Sequence, residues 1–140
     1  MKVVLTITGS QRFGTDEPEK TSLVTEGTLE REGDILLLSY EESELTGMEG
    51  TTTVFRVEPA RITLRRSGTL ESQMVFALGH EDRSLYDMGF GALMITVLTD
   101  RLENTLTDAG GEMDVSYSVA IENETAGHID YHIHVRPQEA

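Results

Sequence analysis

The stretch Tyr40-Glu-Glu-Ser-Glu-Leu-Thr-Gly-Met-Glu-Gly-Thr-Thr-Thr53 separates two segments in which apolar residues alternate with polar or smaller ones. Leu36 and Leu38 alternate in this way before it, and Phe55 and Val57 do so after it. A repeat of two residues is typical of a β-strand with one buried face. The stretch therefore predicts a polar connection between two strands, and its chemistry makes it the first place to look for a site.

Alternation of the same kind recurs along most of the chain. Its cleanest examples lie near the C-terminus, at Met113–Ile121 and Ile129–Val135. Ala92–Leu98 is instead apolar on both faces, which is typical of a strand that is covered on both sides. Asp100–Thr107 fits either a helix or a strand. We predict a strand, which follows a turn at 99–101, because every neighbouring segment is a strand.

Together these segments predict an all-β, antiparallel fold of about 8–10 strands with little or no helix. Gly27 interrupts one alternating segment and is predicted to mark a β-bulge. A sheet of this size normally closes on itself to remove its edges, which favours an up-and-down barrel over a sandwich. No repeat, low-complexity tract or linker divides the sequence, so residues 1–140 are predicted to form one domain.

Composition argues against several classes of function. The chain has 25 acidic and 11 basic residues, and a net charge of −14 disfavours nucleic-acid and anionic-membrane partners. It has no cysteine, which removes disulfides, thiolate zinc sites and thiol catalysis. The N-terminus shows no signal-peptide pattern, and no apolar run approaches the ~20 residues of a membrane span. We therefore expect a cytoplasmic protein, and we expect no cofactor.

The two ends of the predicted barrel differ. Short connections make successive strands antiparallel neighbours, so successive connections alternate between the two ends. The segments 11–19 and 43–50 are the longest connections, and they fall at one end together with 108–111. Tight turns such as 31–34 and 99–101 fall at the other end. The end with the longer connections is the predicted mouth of the barrel.

This mouth is predicted to collect polar side chains that face into the barrel. Alternate residues along four consecutive strands give inward rows that are apolar near the tight turns and polar near the mouth. An inward charge needs a partner, so the carboxylate and the guanidinium among these residues are expected to pair. The pair either holds an anionic or carbonyl group of a small ligand or is a buried salt bridge that fixes strand register. The candidate ligand-binding residues are Tyr40, Glu42, Thr51, Thr53, Arg66 and Ser72.

Four motifs carry a resemblance to a known family, namely Ser39-Tyr-Glu-Glu-Ser-Glu-Leu-Thr-Gly-Met-Glu-Gly-Thr-Thr-Thr53, Arg66-Ser-Gly68, Ser72-Gln-Met-Val-Phe76 and Gly91-Ala-Leu93. Together they resemble the YwiB-like family of uncharacterised bacterial β-barrel proteins. The resemblance implies a calycin-type barrel, similar in shape to lipocalins and fatty-acid-binding proteins. It implies no activity, because the family is a domain of unknown function. Gly89-Phe90 departs from the proline–aromatic pair expected at that turn. Lipocalin-like ligand binding is implied by the shared fold alone.

A row of histidines suggests a second chemistry. His128, His132 and His134 share one strand face, and a His-x-His pair can present two imidazoles to one metal ion. The opposite face, Ile129–Val135, is the predicted core side, so the histidines are expected to face solvent. We predict no metal site, with His132 and His134 as the nearest approach to one.

The remaining polar groups give little support for catalysis. Glu41, Glu42, Glu44 and Glu49 could form a cation site or an acid/base pair, but strand alternation separates the first two. We expect a solvated acidic loop. No Gly-x-Ser-x-Gly elbow is present, and alternation places no histidine at the mouth. An enzyme is therefore the less favoured class.

Three hypotheses for function remain. The first is a small soluble barrel that binds a small anionic or amphipathic ligand at its mouth. The second is a structural or protein–protein interaction module, a homodimer among them, which uses the 43–50 loop or the strand His128–Arg136 as its surface. The third is a hydrolase or isomerase with Glu42 and Tyr40 as acid/base groups. A cavity of ligand size would favour the first hypothesis, and a solidly packed interior would favour the second.

Overall fold

The computed structural model describes most of the chain, namely residues 1–13, 17, 19–43, 49–68, 71–87, 91–122 and 124–138. Within these ranges the chain forms strands, turns and irregular segments and contains no helix. The described part accordingly has no helix that is long and apolar enough to cross a membrane. The strands are β1 (Lys2–Phe13), β2 (Glu19–Glu32), β3 (Ile35–Glu41), β4 (Thr51–Glu58), β5 (Arg61–Gly68), β6 (Ser72–Phe76), β7 (Glu81–Asp87), β8 (Ala92–Asn104), β9 (Gly111–Ile121) and β10 (Glu124–Pro137).

These strands form one antiparallel sheet in the order β6-β5-β4-β3-β2-β1-β10-β9-β8-β7. Strands that follow each other in sequence pair with each other, and β1 also pairs with β10 in the middle of the sheet. The two outermost strands, β6 and β7, approach each other where the sheet curls round. The predicted all-β, up-and-down barrel is confirmed, and the barrel is nearly closed.

Inward side chains from nearly all of the strands form one hydrophobic core. Leu5, Leu38, Ile62, Met113 and Ile133 are among its completely buried members. Along β3, buried residues alternate with half-buried ones, as the sequence pattern predicts. Full burial of an aliphatic side chain of this size contributes about 1.5–3 kcal/mol to stability, so the inward rows are what holds the barrel together.

The segment around residue 100 corrects one prediction. The strand predicted at 100–107 is present as far as Asn104, but the turn predicted at 99–101 is wrong. β8 continues through this point with a register shift between Thr99 and Arg101 against β9, which leaves Asp100 as an extra residue. Such a bulge interrupts the two-residue repeat without ending the strand, and the sequence pattern therefore looked like a turn.

This correction moves one connection to the other end of the barrel. Because β8 is continuous, the β8–β9 connection lies beside the turn between β2 and β3. An ion pair joins the two, with Arg31 Nη2 and Asp108 Oδ1 3.0 Å apart. The placement of 108–111 at the mouth was therefore wrong. Leu106 of this connection is buried in the core and helps to fill this closed end.

Two further predictions about single segments need correction. Gly27 marks no bulge, because the pairing of β2 with β1 runs through it without a shift and the pairing with β3 starts at Gly27 without a shift. β8 is covered on both sides only at its centre, where Ile95, Thr96 and Val97 are all buried, whereas Leu98 on its outer face and Leu85 on the outer face of β7 are 41% and 65% exposed. The outer wall at β7 and β8 is thus partly apolar.

Candidate functional site

The polar residues predicted from strand alternation lie together on the inner wall. Tyr40 of β3 pairs with Thr53 of β4, Thr53 pairs with Arg66 of β5, and Arg66 pairs with Ser72 of β6. These four positions form one row across four adjacent strands. One step nearer the mouth, the Glu42 amide donates to the Thr51 carbonyl oxygen at 2.8 Å. Local alternation was sufficient to place the row because each strand of it is regular.

Most of the row, and the Glu42–Thr51 pair next to it, is removed from solvent. Tyr40, Glu42, Thr51 and Thr53 are buried, and both threonines have no exposed surface at all. The Arg66 side chain is 16% exposed, so it lies between the core and the opening. The row therefore forms a polar layer above the apolar core.

Glu42 and Arg66 form the ion pair that the sequence predicted, but they form it loosely. Arg66 Nε lies 4.0 Å from Glu42 Oε2, and the Thr53 hydroxyl donates to the same oxygen at 3.2 Å. Among the described residues, Glu42 Oε1 and Arg66 Nε are buried and have no hydrogen-bond partner. A buried carboxylate oxygen without a donor is costly, and it requires an explanation in a folded protein. The pair is thus an incompletely satisfied polar centre.

A tyrosine from β10, which β2 and β1 separate from β3 in the sheet, completes this centre. The Tyr40 and Tyr131 hydroxyls are hydrogen-bonded, and burial is the main cause that raises the pKa of each phenol above its ordinary range. Both phenols therefore stay protonated at neutral pH, so each can donate a hydrogen bond in this centre. Tyr131 was missed as a site residue because contacts across a barrel depend on its curvature, which no local pattern reveals.

Beneath the polar layer the interior is almost filled. A cavity of about 30 Å³, roughly room for one or two water molecules, remains inside the barrel. Arg66 and Tyr131 line its polar end, and apolar side chains line the rest. Ring centroids of Phe55 and Tyr131 are 6.4 Å apart, and those of Phe76 and Tyr117 are 4.8 Å apart. Pockets for drug-sized ligands measure about 300–1,000 Å³, so a lipocalin-sized ligand does not fit inside this conformation.

The histidine row lies on the outer wall, where its side chains contact carboxylates. His132 Nδ1 lies 2.7 Å from Asp114 Oδ1, and His128 Nε2 lies 3.2 Å from Asp130 Oδ1. His134 is half-buried on the same outward row. No group of three or more His, Asp or Glu side chains in the described ranges is arranged to hold a metal ion. The row thus presents a polar outer surface.

The acidic loop is described only in part. The Thr52 hydroxyl donates to Glu41 Oε1 at 3.0 Å in an exposed contact, whereas Glu42 is buried, so the two carboxylates are separated as alternation predicted. Glu44 lies outside the described residues, as does most of the 43–50 loop. The departure at Gly89-Phe90 lies outside them as well.

We expect replacement of Ser116 by alanine to raise the pKa of Asp130. The Ser116 hydroxyl donates to Asp130 Oδ1 at 2.6 Å, and this bond, followed by the contact with His128, holds the pKa of Asp130 below its ordinary value. A lowered native pKa stabilises the fold at pH values above about 3.9, and that contribution is lost as the pH falls through the native pKa. Carboxyl-detected NMR titration of Ser116→Ala measures the change.

The matched control is Ser118→Ala on the same strand. The Ser118 hydroxyl donates to Asp100 Oδ2 at 3.4 Å and not to Asp130. This variant should leave the titration of Asp130 unchanged. An unchanged titration in Ser116→Ala would show that the short hydrogen bond has no electrostatic effect.

Comparison with known proteins agrees with this architecture. The chain is 23% identical over 94 residues to the uncharacterized beta-barrel protein YwiB of Bacillus subtilis (strain 168), a match that covers 67% of this chain and 64% of YwiB. The crystal structure of ywiB protein from Bacillus subtilis is similar, with a TM-score of 0.74 at 17% identity over 95% of this chain and 90% of that one. The matched region thus spans less than two thirds of YwiB, and the structural likeness concerns the fold.

The family assignment rests on a longer match. The model of the family described as Domain of unknown function (DUF1934) matches residues 5–133, which include β3 to β6 and the whole polar layer. This match confirms the resemblance to YwiB-like proteins that the motifs predicted. The chain belongs to the DUF1934 family of β-barrel proteins.

Proposed function

We propose that this protein binds a small amphipathic molecule at the mouth of the barrel, through the Glu42–Arg66 pair. The observation that carries the proposal is the pair of buried atoms, Glu42 Oε1 and Arg66 Nε, that have no hydrogen-bond partner among the described residues. One atom accepts a hydrogen bond and the other donates one. A ligand group with both a donor and an acceptor, such as a primary amide, would satisfy both.

The electrostatics favour an amphipathic ligand over an anionic one. The Glu42 side chain has no exposed surface, and it lies next to the guanidinium that would otherwise be free to hold an anion. A second carboxylate would meet an existing negative charge where water screens it little. The net charge of −14 also repels anions as they approach the protein. A neutral head group avoids both costs.

The packing of the interior limits the size of the ligand. The cavity next to Arg66 measures about 30 Å³, so the bound group is a few atoms deep unless the barrel wall moves. The apolar end of that cavity, lined by Phe55 and Phe76 among others, suits a short aliphatic tail. We therefore propose a ligand with a small polar head and a short apolar part.

Native mass spectrometry of protein purified from its own host tests whether such a ligand exists. We expect a bound small molecule in the wild type and a smaller bound fraction in Arg66→Lys, because lysine keeps the charge but loses the Nε donor and the planar geometry of arginine. Arg65→Lys on the exposed face of β5 is the matched control and should retain the ligand. Circular dichroism confirms that the three proteins are equally folded.

Saturation-transfer NMR with acetamide, acetate and methylammonium tests the chemical class. Acetamide offers a donor and an acceptor, acetate only acceptors, and methylammonium only donors. We expect acetamide to give the strongest signal and Arg66→Lys to reduce it. Wild-type protein that is empty in the mass spectrum and shows no preference for acetamide would contradict the proposal.

A second candidate function is an interaction module, which the small interior cavity favours. Its surface would be the outer wall near the histidine row, where short hydroxyl side chains form a groove of about 450 Å³ between longer charged ones. Thr8, Ser10 and Ser116 contribute the short side chains, and His132 and Arg101 contribute the longer ones. If the wild type carries no small molecule but retains a protein in the same native spectrum, and Ser10→Arg in the groove releases it, this second function is the better one.

A further inference from the structure

The barrel wall has one place where strands meet without a backbone ladder. β6 and β7 are the two edges of the sheet, and among the described residues no ladder joins them. β1 and β10, by contrast, pair from Val3 to Phe13 without a break. The closest backbone links lie near the closed end, where the Gly79 amide donates to the Thr99 carbonyl oxygen at 3.3 Å and Leu78 bridges to Thr99. Beyond these links, the seam between β6 and β7 must be held by other means.

Next to these links, the Asp82 carboxylate bridges the seam. The Val75 amide of β6 donates to Asp82 Oδ2 of β7 at 3.0 Å, and the Ser84 hydroxyl donates to the same oxygen at 3.3 Å. On an edge strand of an antiparallel sheet, every second residue points its N–H away from the one strand with which it pairs, towards the open edge. Val75 is such a residue on β6, so Asp82 replaces the carbonyl oxygen that a neighbouring strand would supply.

The position of this bridge connects it to the polar layer. Ser72, on the inward row of β6, pairs with Arg66, and Phe76 at the other end of the same strand lines the internal cavity. β6 is also the shortest strand, with 5 residues. A gap between β6 and β7 would therefore open directly onto Arg66 and the cavity.

We infer that the barrel opens laterally between β6 and β7 and that Asp82 holds this gate shut. The gate gives a ligand access to an interior that is otherwise filled, a role that rests on the proposed ligand-binding function. The opening itself is a property of the wall and does not depend on any ligand. Sheet edges and segments with few backbone hydrogen bonds are the parts of a fold that open most readily.

Hydrogen exchange measured by mass spectrometry tests the opening. In Asp82→Ala we expect the amides of β6 to exchange at least tenfold faster, while those of β1 and β10 exchange at the wild-type rate. Asp82→Asn is the matched control, because its amide oxygen still accepts the bond from Val75, and its β6 amides should exchange within about threefold of wild type. Faster exchange throughout the sheet, or unchanged exchange in β6, would overturn the inference.

Thiol labelling tests whether the gap leads inside, since the chain has no cysteine of its own. Val115 lines the cavity, so Val115→Cys places a thiol there with little change in volume. Methyl methanethiosulfonate should label this thiol at least tenfold faster when Asp82→Ala is added, and at the original rate when Asp82→Asn is added. Faster exchange in β6 without faster labelling would show that the seam leads elsewhere. Neither measurement uses a ligand, so failure of the proposed function leaves both results interpretable.

Discussion

Arg66→Ala should destabilise the protein by about 3–5 kcal/mol, because it leaves the buried Glu42 carboxylate without a counter-charge. Among the described contacts of the Glu42 carboxylate, only the hydrogen bond from the Thr53 hydroxyl would then remain. A loss of this size corresponds to a melting temperature lower by roughly 10 °C or more for a chain of this length. Urea denaturation followed by circular dichroism measures the free energy of unfolding directly.

Two comparisons separate the loss of the charge from other effects. Arg56→Ala removes an arginine on the outer face of β4 whose Nε lies 3.4 Å from Glu58 Oε1, and this exposed pair should contribute less than about 1 kcal/mol. Glu42→Leu combined with Arg66→Met removes both charges, and we expect it to be nearly as stable as wild type. A cost below about 1 kcal/mol for Arg66→Ala alone would show that the pair is not coupled.

The double variant also bears on function. If the barrel is as stable without the ion pair as with it, stability does not account for a charged pair at this position. Glu42 and Arg66 are then more consistent with recognition than with a structural plug. If the double variant unfolds, the pair fixes strand register and the interaction-module hypothesis gains support.

The polar layer could be predicted from sequence because its four strands are regular. Tyr40, Thr53, Arg66 and Ser72 each lie an even number of residues from the inward-facing apolar residues of their own strand, and short connections align the strands. Their shared row therefore follows from local alternation alone. The same argument failed at residue 100, where a bulge adds one residue and changes which face the following side chains occupy.

Features that depend on the curvature of the sheet were not predictable in this way. The contact between Tyr40 and Tyr131 joins β3 to β10, which are separated by β2 and β1 in the sheet. The bridge from Asp82 to Val75 joins the two edges that meet only when the sheet curls. Both require the three-dimensional path of the sheet, and neither leaves a periodic signal in the sequence.

Gly27→Ala should destabilise the barrel strongly, although the substitution adds only one methyl group. A methyl group at Gly27 would overlap the carbonyl oxygen of Ser39 and lie 2.7 Å from Leu5 Cδ1 and 3.3 Å from Tyr40 Cβ. The carbonyl belongs to the backbone of β3 and Leu5 is fully buried, so neither can move without shifting a strand. Overpacking of this kind costs about 1–3 kcal/mol, and we expect the upper end of that range because the backbone itself must move.

Gly9→Ala is the matched control for this effect, and its contrast with Gly27→Ala explains what the glycine at position 27 does. At Gly9 the added methyl meets the Thr21 hydroxyl oxygen at 3.2 Å, and that side chain can rotate away. Replacement of a glycine also lowers the entropy of the unfolded chain, which stabilises the fold by about 0.4–1 kcal/mol where no clash opposes it. Denaturant unfolding should therefore show Gly9→Ala at or slightly above wild-type stability and Gly27→Ala far below it. Equal stabilities would mean that the pairing of β2 with β3 tolerates the methyl group.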